Sequence, residues 1–337
     1  MATMIKLAID LGSSMTKIYR ADTNSGVVLA EPSCIAVNAE QEIKAIGKAA
    51  KKLIGKTAEY TTIVKPIRDG VIVDRALAAR MLQEFLSRIG IAKSALKRAL
   101  IVISIPCGLD DAALDEYTAL VEECDLRNVR FVEQPYLAAL GGGASLSETE
   151  PIFCLDIGGS VTNAAVISAN GIISGLSINL GGTRIEQNIM RTLREEYHLS
   201  IGELTAERVK NKLGSCAEGS GGTMVVEGLS TETYKPDSKQ VQSMNLKNAV
   251  RTSVDKTISY VTGVLCNLPE EVAATVHHHG VYLSGGIMKM TYAPQYIAGL
   301  LDMRYHIAEE PQFVTVLGGG VLLRDKELLN RFSKKLR

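Results

Sequence analysis

At 337 residues, with 46% hydrophobic and 22% charged side chains, the chain has room for two domains of roughly 150 residues and is too apolar to be disordered. Its 37 basic and 37 acidic residues cancel, which removes any bulk electrostatic reason to bind nucleic acid or an anionic membrane. No run reaches the roughly 18 apolar residues of a membrane span, the first ten residues are too mixed for a signal peptide, and six cysteines without metal-ligand spacing suit reduced thiols in the cytosol.

In chain order, the first predicted strand is Met4–Asp10, apolar and ending in an aspartate. A loop of small residues follows to Thr16, then a strand over Lys17–Ala21, a turn at Asp22–Gly26 and a strand over Val27–Ala30. Ala76–Ile89 and Ala112–Cys124 carry apolar residues at helical spacing, and Ala99–Ile105 between them reads as a buried strand stopped by Pro106. Pro151–Asp156 is again an apolar strand ending in aspartate. It leads into Ile-Gly-Gly-Ser-Val-Thr162, a strand over Asn163–Ser168, a turn at Ala169–Gly171 and a strand over Ile172–Ile178. Thr183–Tyr197, Thr205–Leu213 and Asn248–Leu265 read as helices, whereas Gly214–Ser243, rich in Gly, Ser, Thr and charge, is expected to be floppy. The same strand–loop–strand–turn–strand unit thus occurs twice, about half a chain apart, which argues for a duplicated α/β architecture.

A turn of glycines and small residues exposes successive N–H groups that can hold phosphate oxygens, and Ser13, Ser14, Ser160 and Thr162 add hydroxyls. Asp10 and Asp156, at the strand ends just before these loops, are placed to hold magnesium-bound waters. One such loop is weak evidence, since an Asp-Gly turn suits any hairpin; its duplication favours a ligand. Ser284-Gly285-Gly286-Ile287 follows a strand and offers backbone against which a flat base can lie. Gly318-Gly-Gly320 reads as tight helix packing. His277-His-His279 reads as a surface turn and not a metal site, because consecutive residues share no helix face.

Asp10-Leu-Gly-Ser, Asp156-Ile-Gly-Gly and Leu283-Ser-Gly-Gly, in that order, resemble the phosphate-1, phosphate-2 and adenosine motifs of the actin, sugar-kinase and heat-shock-chaperone ATPase superfamily. Glu31-Pro-Ser, Val64–Asp74, Val132–Gly141 and Ile201–Lys210 resemble the MreB/Mbl family of bacterial actin-like cell-shape proteins, over nearly the whole chain. The resemblance implies an actin-like ATPase fold of two ribonuclease-H-like halves around a nucleotide cleft. The halves would be residues 1–145, with a small subdomain at about 31–75, and 146–337, with one at about 183–247. It also implies ATP with Mg2+, self-assembly into double protofilaments, a cytoplasmic location at the inner face of the membrane, and morphogenetic membrane proteins as partners.

Carried over residue by residue, Ser13, Ser14, Met15, Gly158, Gly159 and Ser160 would bracket the β- and γ-phosphates, with Asp10 and Asp156 organising magnesium. Glu207, Arg208 and Lys210 would reach ribose or adenine from one helix, and Ser284, Gly285, Gly286 and Ile287 would flank the adenosine. Three positions depart from the family pattern and match actin. Gln134 stands where the family has a glutamate, Val161 where it has a threonine (Thr162 follows), and Lys17 where it has an apolar residue. Glutamine can orient water but cannot accept a proton as a carboxylate does, and Lys17 adds a charge to grip phosphate. The expectation is therefore slow ATP hydrolysis coupled to assembly, carried by Gln134, Asp10, Asp156 and Thr162. The alternatives are a non-hydrolysing nucleotide-dependent scaffold and, less favoured, a small-molecule kinase. The apolar loop Ile91–Leu96, near Lys93, Lys97 and Arg98, occupies the place of a membrane-contacting loop. Leu322–Arg337 has the outline of a basic amphipathic helix, expected to pack on its own domain.

Overall fold

The computed structural model describes residues 4–335 apart from 24, 57–60 and 220. Two mixed sheets carry the chain, and both are built in the same order. In the first, Lys6–Leu11, Met15–Arg20 and Gly26–Pro32 form an antiparallel meander, and Leu100–Ile105 and Val129–Glu133 add in parallel beyond the first strand. In the second, Ile152–Ile157, Thr162–Ser168 and Gly171–Ile178 form the meander, followed by Val281–Ser284 and Tyr305–Ile307. The central strands, Leu-Ile-Val-Ile-Ser-Ile105 and Ile-Phe-Cys-Leu-Asp-Ile157, are unbroken apolar runs because helices cover both of their faces. Register makes the repeat explicit: Asp10 lies opposite Lys17 and Ser104, and Asp156 lies opposite Asn163 and Ser284.

Each half carries a small three-stranded sheet. The first holds Ile35–Asn38, Ile43–Ile46 and Thr61–Val64; the second holds Leu199–Ser200, Thr223–Ser230 and Pro236–Gln242. The latter corrects the expectation of a floppy Gly214–Ser243, most of which is a β-hairpin (Ser220 lies outside the described residues). Its apolar anchors are sparse: Val226 and Val241 are fully buried while Val225 and Leu229 face outward, so alternation is hard to see under the charge. The three histidines are likewise not a turn. They form the last turn of helix Glu270–His279, which Gly280, at φ 83, terminates in the left-handed region.

Ile91 and Leu96, expected to face a membrane, are 9% and 7% exposed and belong to the core of the first half. The segment therefore presents Lys93, Lys97 and Arg98 outward but no large apolar side chain. Near the end of the chain, helix Lys326–Phe332 packs on its own protein, with Phe332 stacked on Tyr136 at 4.6 Å; residues 336–337 lie outside the described residues.

The halves are joined by two crossing helices, Gln134–Gly141 and Val314–Leu322. Their contact is reciprocal and almost backbone on backbone. A Cβ on Gly141 would stand 1.9 Å from the carbonyl oxygen of Val314, and one on Gly318 would stand 1.9 Å from that of Leu137. Gly319 meets Ala8 and Gly320 meets the Tyr19 ring in the same manner, so the glycine run serves packing. Val314–Leu322 lies on strands Lys6–Leu11 and Met15–Arg20 of the first sheet, while Gln134–Gly141 lies on Ile152–Ile157 and Thr162–Ser168 of the second. Strand Lys334–Lys335 also pairs with Val129–Glu133, so residues past 314 complete the first core.

Gly141→Ala or Gly318→Ala is expected to lower unfolding free energy by about 3 kcal/mol, because neither backbone can yield without repacking both sheets. Gly263→Ala is the control. It sits within helix Ser243–Cys266 with nothing within 4 Å of its would-be Cβ, and should stabilise by about 0.5–1 kcal/mol. Urea unfolding measures both; equal effects at the three sites would mean that the crossing is not tight.

Candidate functional site

Between the two sheets, at the ends of the aspartate-bearing strands, lies a cleft of about 660 Å³. The loops Gly12–Met15 and Gly158–Val161 form two of its walls and nearly touch: a Cβ on Gly159 would stand 2.0 Å from Ser14 Oγ. Both loops are closed the same way, with Gly12 against the Met15 carbonyl and Gly158 donating its N–H to the Val161 carbonyl at 2.9 Å. Asp10, Ser13, Ser14, Met15, Lys17, Gln134, Asp156, Gly158, Gly159, Ser160, Glu207, Lys210, Gly285, Gly286 and Ile287 all line this cleft. Three expected residues do not. Ser284 sits beneath it and supports Asp156. Thr162 is fully buried and donates to the Leu180 carbonyl at 2.6 Å, a bond that fixes the entry to the next helix. Arg208 is exposed on the outer side of its helix.

The two aspartates have matching supports and different charge partners. Asp10 is 5% exposed, accepts from Ser104 Oγ at 2.9 Å, and holds Lys17 Nζ at 2.7 Å. Asp156 accepts from Ser284 Oγ at 2.8 Å, and among the described residues it has no cation in ion-pair contact. Burial pushes its carboxyl up to about 6, with the charge of Asp10 adding to the rise and Ser284 and Lys17 opposing it. A buried carboxylate that lacks a counter-ion and faces a second one is a natural place for a hard divalent cation. No group of three or more His, Cys, Asp or Glu among the described residues could hold a metal alone. Magnesium bound here would thus need water and phosphate as its other ligands, as that ion prefers. Ser160 Oγ is buried with no hydrogen-bond partner among the described residues, an orphaned hydroxyl suited to donate to a phosphate oxygen.

Sequence reasoning missed several residues in the cleft or directly behind its lining. Asn163 Nδ2 donates to Gln134 Oε1 at 2.5 Å, and its own Oδ1 accepts from the Cys107 N–H at 3.0 Å. The repeat itself could have flagged Asn163, which holds the register position of Lys17 in the second half. Glu207 is held by Lys51 at 2.7 Å and Lys210 by Glu186 at 2.5 Å, so the two expected nucleotide contacts already have partners. Lys65 and Glu203 make a looser pair at 3.7 Å. Lys51 and Lys65 come from the first small subdomain while Glu203 and Glu207 lie one turn apart on helix Glu203–Leu213, so ion pairs span the cleft mouth. At the phosphate end, the tip of the hairpin Ile67–Ile72 reaches in: the Gly70 N–H donates to Ser13 Oγ at 3.1 Å, and Tyr117 Oη donates to the Gly70 carbonyl at 3.0 Å. Asp69 and Gly70 both have positive φ (51 and 79), the backbone of a tight hairpin turn.

A family model described as MreB/Mbl protein matches residues 4–331. The cell shape-determining protein MreB of Escherichia coli (strain K12) is 29% identical over 323 residues, covering 94% of this chain and 92% of that protein. The cell shape-determining protein Mbl of Bacillus subtilis (strain 168) is 28% identical over 325 residues, covering 96% and 97%. Among solved structures, MreB 5 of Spiroplasma citri bound to AMPPNP superposes with a TM-score of 0.91 at 27% identity, covering 97% of this chain and 98% of that one.

Because the folded Asp156 carboxyl is raised from 3.8 to about 6, the stability that protonation preserves is fully present below about 3.8 and lost as pH rises through about 6. Asp156→Asn should remove that loss. The Tm of the nucleotide-free wild type should fall relative to that of the variant across this window and level off above it. Parallel Tm–pH curves for the two proteins would contradict the assignment.

Proposed function

The chain belongs to the MreB/Mbl protein family, and on that premise we propose that it is an actin-like cytoskeletal protein of cell-shape determination that binds ATP with Mg2+ in this cleft and assembles with copies of itself. The observation that carries the nucleotide reading is the approach of the two loops: they leave room between them only for a glycine, and they offer N–H and hydroxyl groups from both sides. The AMPPNP bound to the Spiroplasma citri protein, which shares nearly the whole fold, supports the same ligand class here.

In this reading the residues divide the work by position. Ser13, Ser14, Met15 and Gly158–Ser160 hold phosphate oxygens, and Lys17 shares its charge between Asp10 and the phosphates. Asp10 and Asp156 hold the metal's waters, and the bound ion supplies neutralisation of phosphate charge. Lys210 and the Gly285–Ile287 backbone flank the base. Glu207 would meet the ribose on release from Lys51. Gln134 stands 3.5 Å from Asp10 at the phosphate end, where it can align water but cannot take a proton, so hydrolysis is slow. Filaments form as double protofilaments in the cytoplasm, with morphogenetic membrane proteins as partners. Membrane contact through Ile91 and Leu96 is no part of this, since both are buried. A non-hydrolysing scaffold is the second reading, favoured by the engagement of the Gln134 carbonyl with Asn163.

Sedimentation with ATP and Mg2+ should pellet the protein, and phosphate release should be far below the roughly 1–100 per second of kinases. Failure to pellet under any nucleotide would sink the filament claim. Gln134→Ala should cut release by about tenfold or more; an unchanged rate would remove Gln134 from the chemistry, and no release from the wild type would leave the scaffold.

A further inference from the structure

We propose that Asn163 is a positioning residue that locks the side-chain amide of Gln134 with its NH2 group, and not its carbonyl, turned toward Asp10 and the phosphate end of the cleft. This inference rests on the nucleotide reading above and adds a reason why hydrolysis would be slow.

Three hydrogen bonds carry it, and at both ends of the chain the partner has no choice of role. The Cys107 main-chain N–H can only donate, so the Asn163 atom it meets at 3.0 Å is the carbonyl oxygen. That turns the Asn163 NH2 to the carbonyl oxygen of Gln134, at 2.5 Å. The far end of Gln134, its NH2, is then left facing Asp10 Oδ1 at 3.5 Å, and a carboxylate oxygen is an acceptor. Turning over either amide would set oxygen against oxygen at one end and N–H against N–H at the other. Asn163 is 1% exposed in the middle of a sheet, so the lock is rigid.

The orientation has a chemical consequence. A water that donates to a carbonyl or carboxylate turns a lone pair toward the phosphorus it will attack. A water that instead accepts from an NH2 group spends one of its two lone pairs on the protein, so it is still held in place but is a weaker nucleophile than one that donates to a carbonyl. With its carbonyl engaged, Gln134 offers the attacking water chiefly donors. Asn163 thereby holds the site in a poorly hydrolytic setting without touching the nucleotide.

The decisive variant is Asn163→Asp. The new carboxylate has no donor, so it can satisfy the Cys107 N–H and still attract Gln134 only if the glutamine amide turns over and presents its carbonyl to the cleft. The kcat for ATP hydrolysis should then rise about tenfold while KM changes less than about twofold. Should this variant fail to fold, Gln134→Glu supplies an acceptor by another route and should raise kcat likewise. A fall in kcat, or no change in either folded variant that still binds ATP, would overturn the proposal. The lock is also measured without nucleotide, by a double-mutant cycle of Gln134→Leu and Asn163→Leu on unfolding. The pair should couple by about threefold to tenfold in the unfolding constant, and additive effects would refute the lock. Loss of ATP binding in the wild type would instead refute the nucleotide reading, and the cycle would still decide the lock.

Discussion

The architecture depends on one close contact, the crossing of helices Gln134–Gly141 and Val314–Leu322, where glycine lets each backbone press on a carbonyl of the other. Any side chain there would hold the helices apart and with them the two sheets on which they lie. Because the contact is reciprocal, it works as a local two-fold axis for the duplicated halves, and it sets the two aspartate strands facing across one cleft. Gln134 is the first residue of a crossing helix, so the joint that ties the halves also fixes a side chain at the reacting end.

Around that axis the halves share geometry and diverge in charge. Each aspartate has its serine on the neighbouring parallel strand, at 2.9 Å for Ser104 and 2.8 Å for Ser284. The antiparallel neighbour differs. Lys17 neutralises Asp10, whereas the equivalent Asn163 turns away from Asp156 to Gln134. One carboxylate is thus satisfied within the protein and the other is left with a cost of burial that a divalent cation and its waters would relieve. A single lysine-for-asparagine difference between repeats makes an asymmetric, ligand-seeking site out of a symmetric scaffold.

The duplicated strands and their terminal aspartates were legible in the sequence because they are written locally, as apolar runs ending in Asp-x-Gly. The first-half helices at Arg75–Arg88 and Asp111–Glu123 were equally plain, each with an aspartate capping its first turn. What stayed hidden depends on partners far along the chain. The hairpin Thr223–Gln242 is hard to see because it buries only two apolar side chains fully, Val226 and Val241, with Met224 partly buried beside them. Ile91 and Leu96 look like a surface loop until the first-half core closes over them. Lys51 and Glu186 gained meaning only through their partners, Glu207 and Lys210, and spacing alone says nothing about such pairs; for Asn163 the repeat marks the position but not its bond to Gln134. Thr162 is a converse case: a hydroxyl in the right motif whose side chain points into the fold.

Strand Lys334–Lys335 and helix Val314–Leu322 belong to the first sheet although they come last in the chain. During synthesis the amino-terminal strands therefore leave the ribosome without the helix that covers them and without their sixth strand. The first sheet cannot finish until residue 335 has been added, by which time the second sheet is already available. Order of manufacture and order of completion are thus reversed: the half made first is sealed last, and a chain released early would expose the apolar surface around Ala8, Tyr19 and Val102 that Gly319 and Gly320 normally cover. Truncation, rather than point substitution, is the error to which this arrangement is most vulnerable.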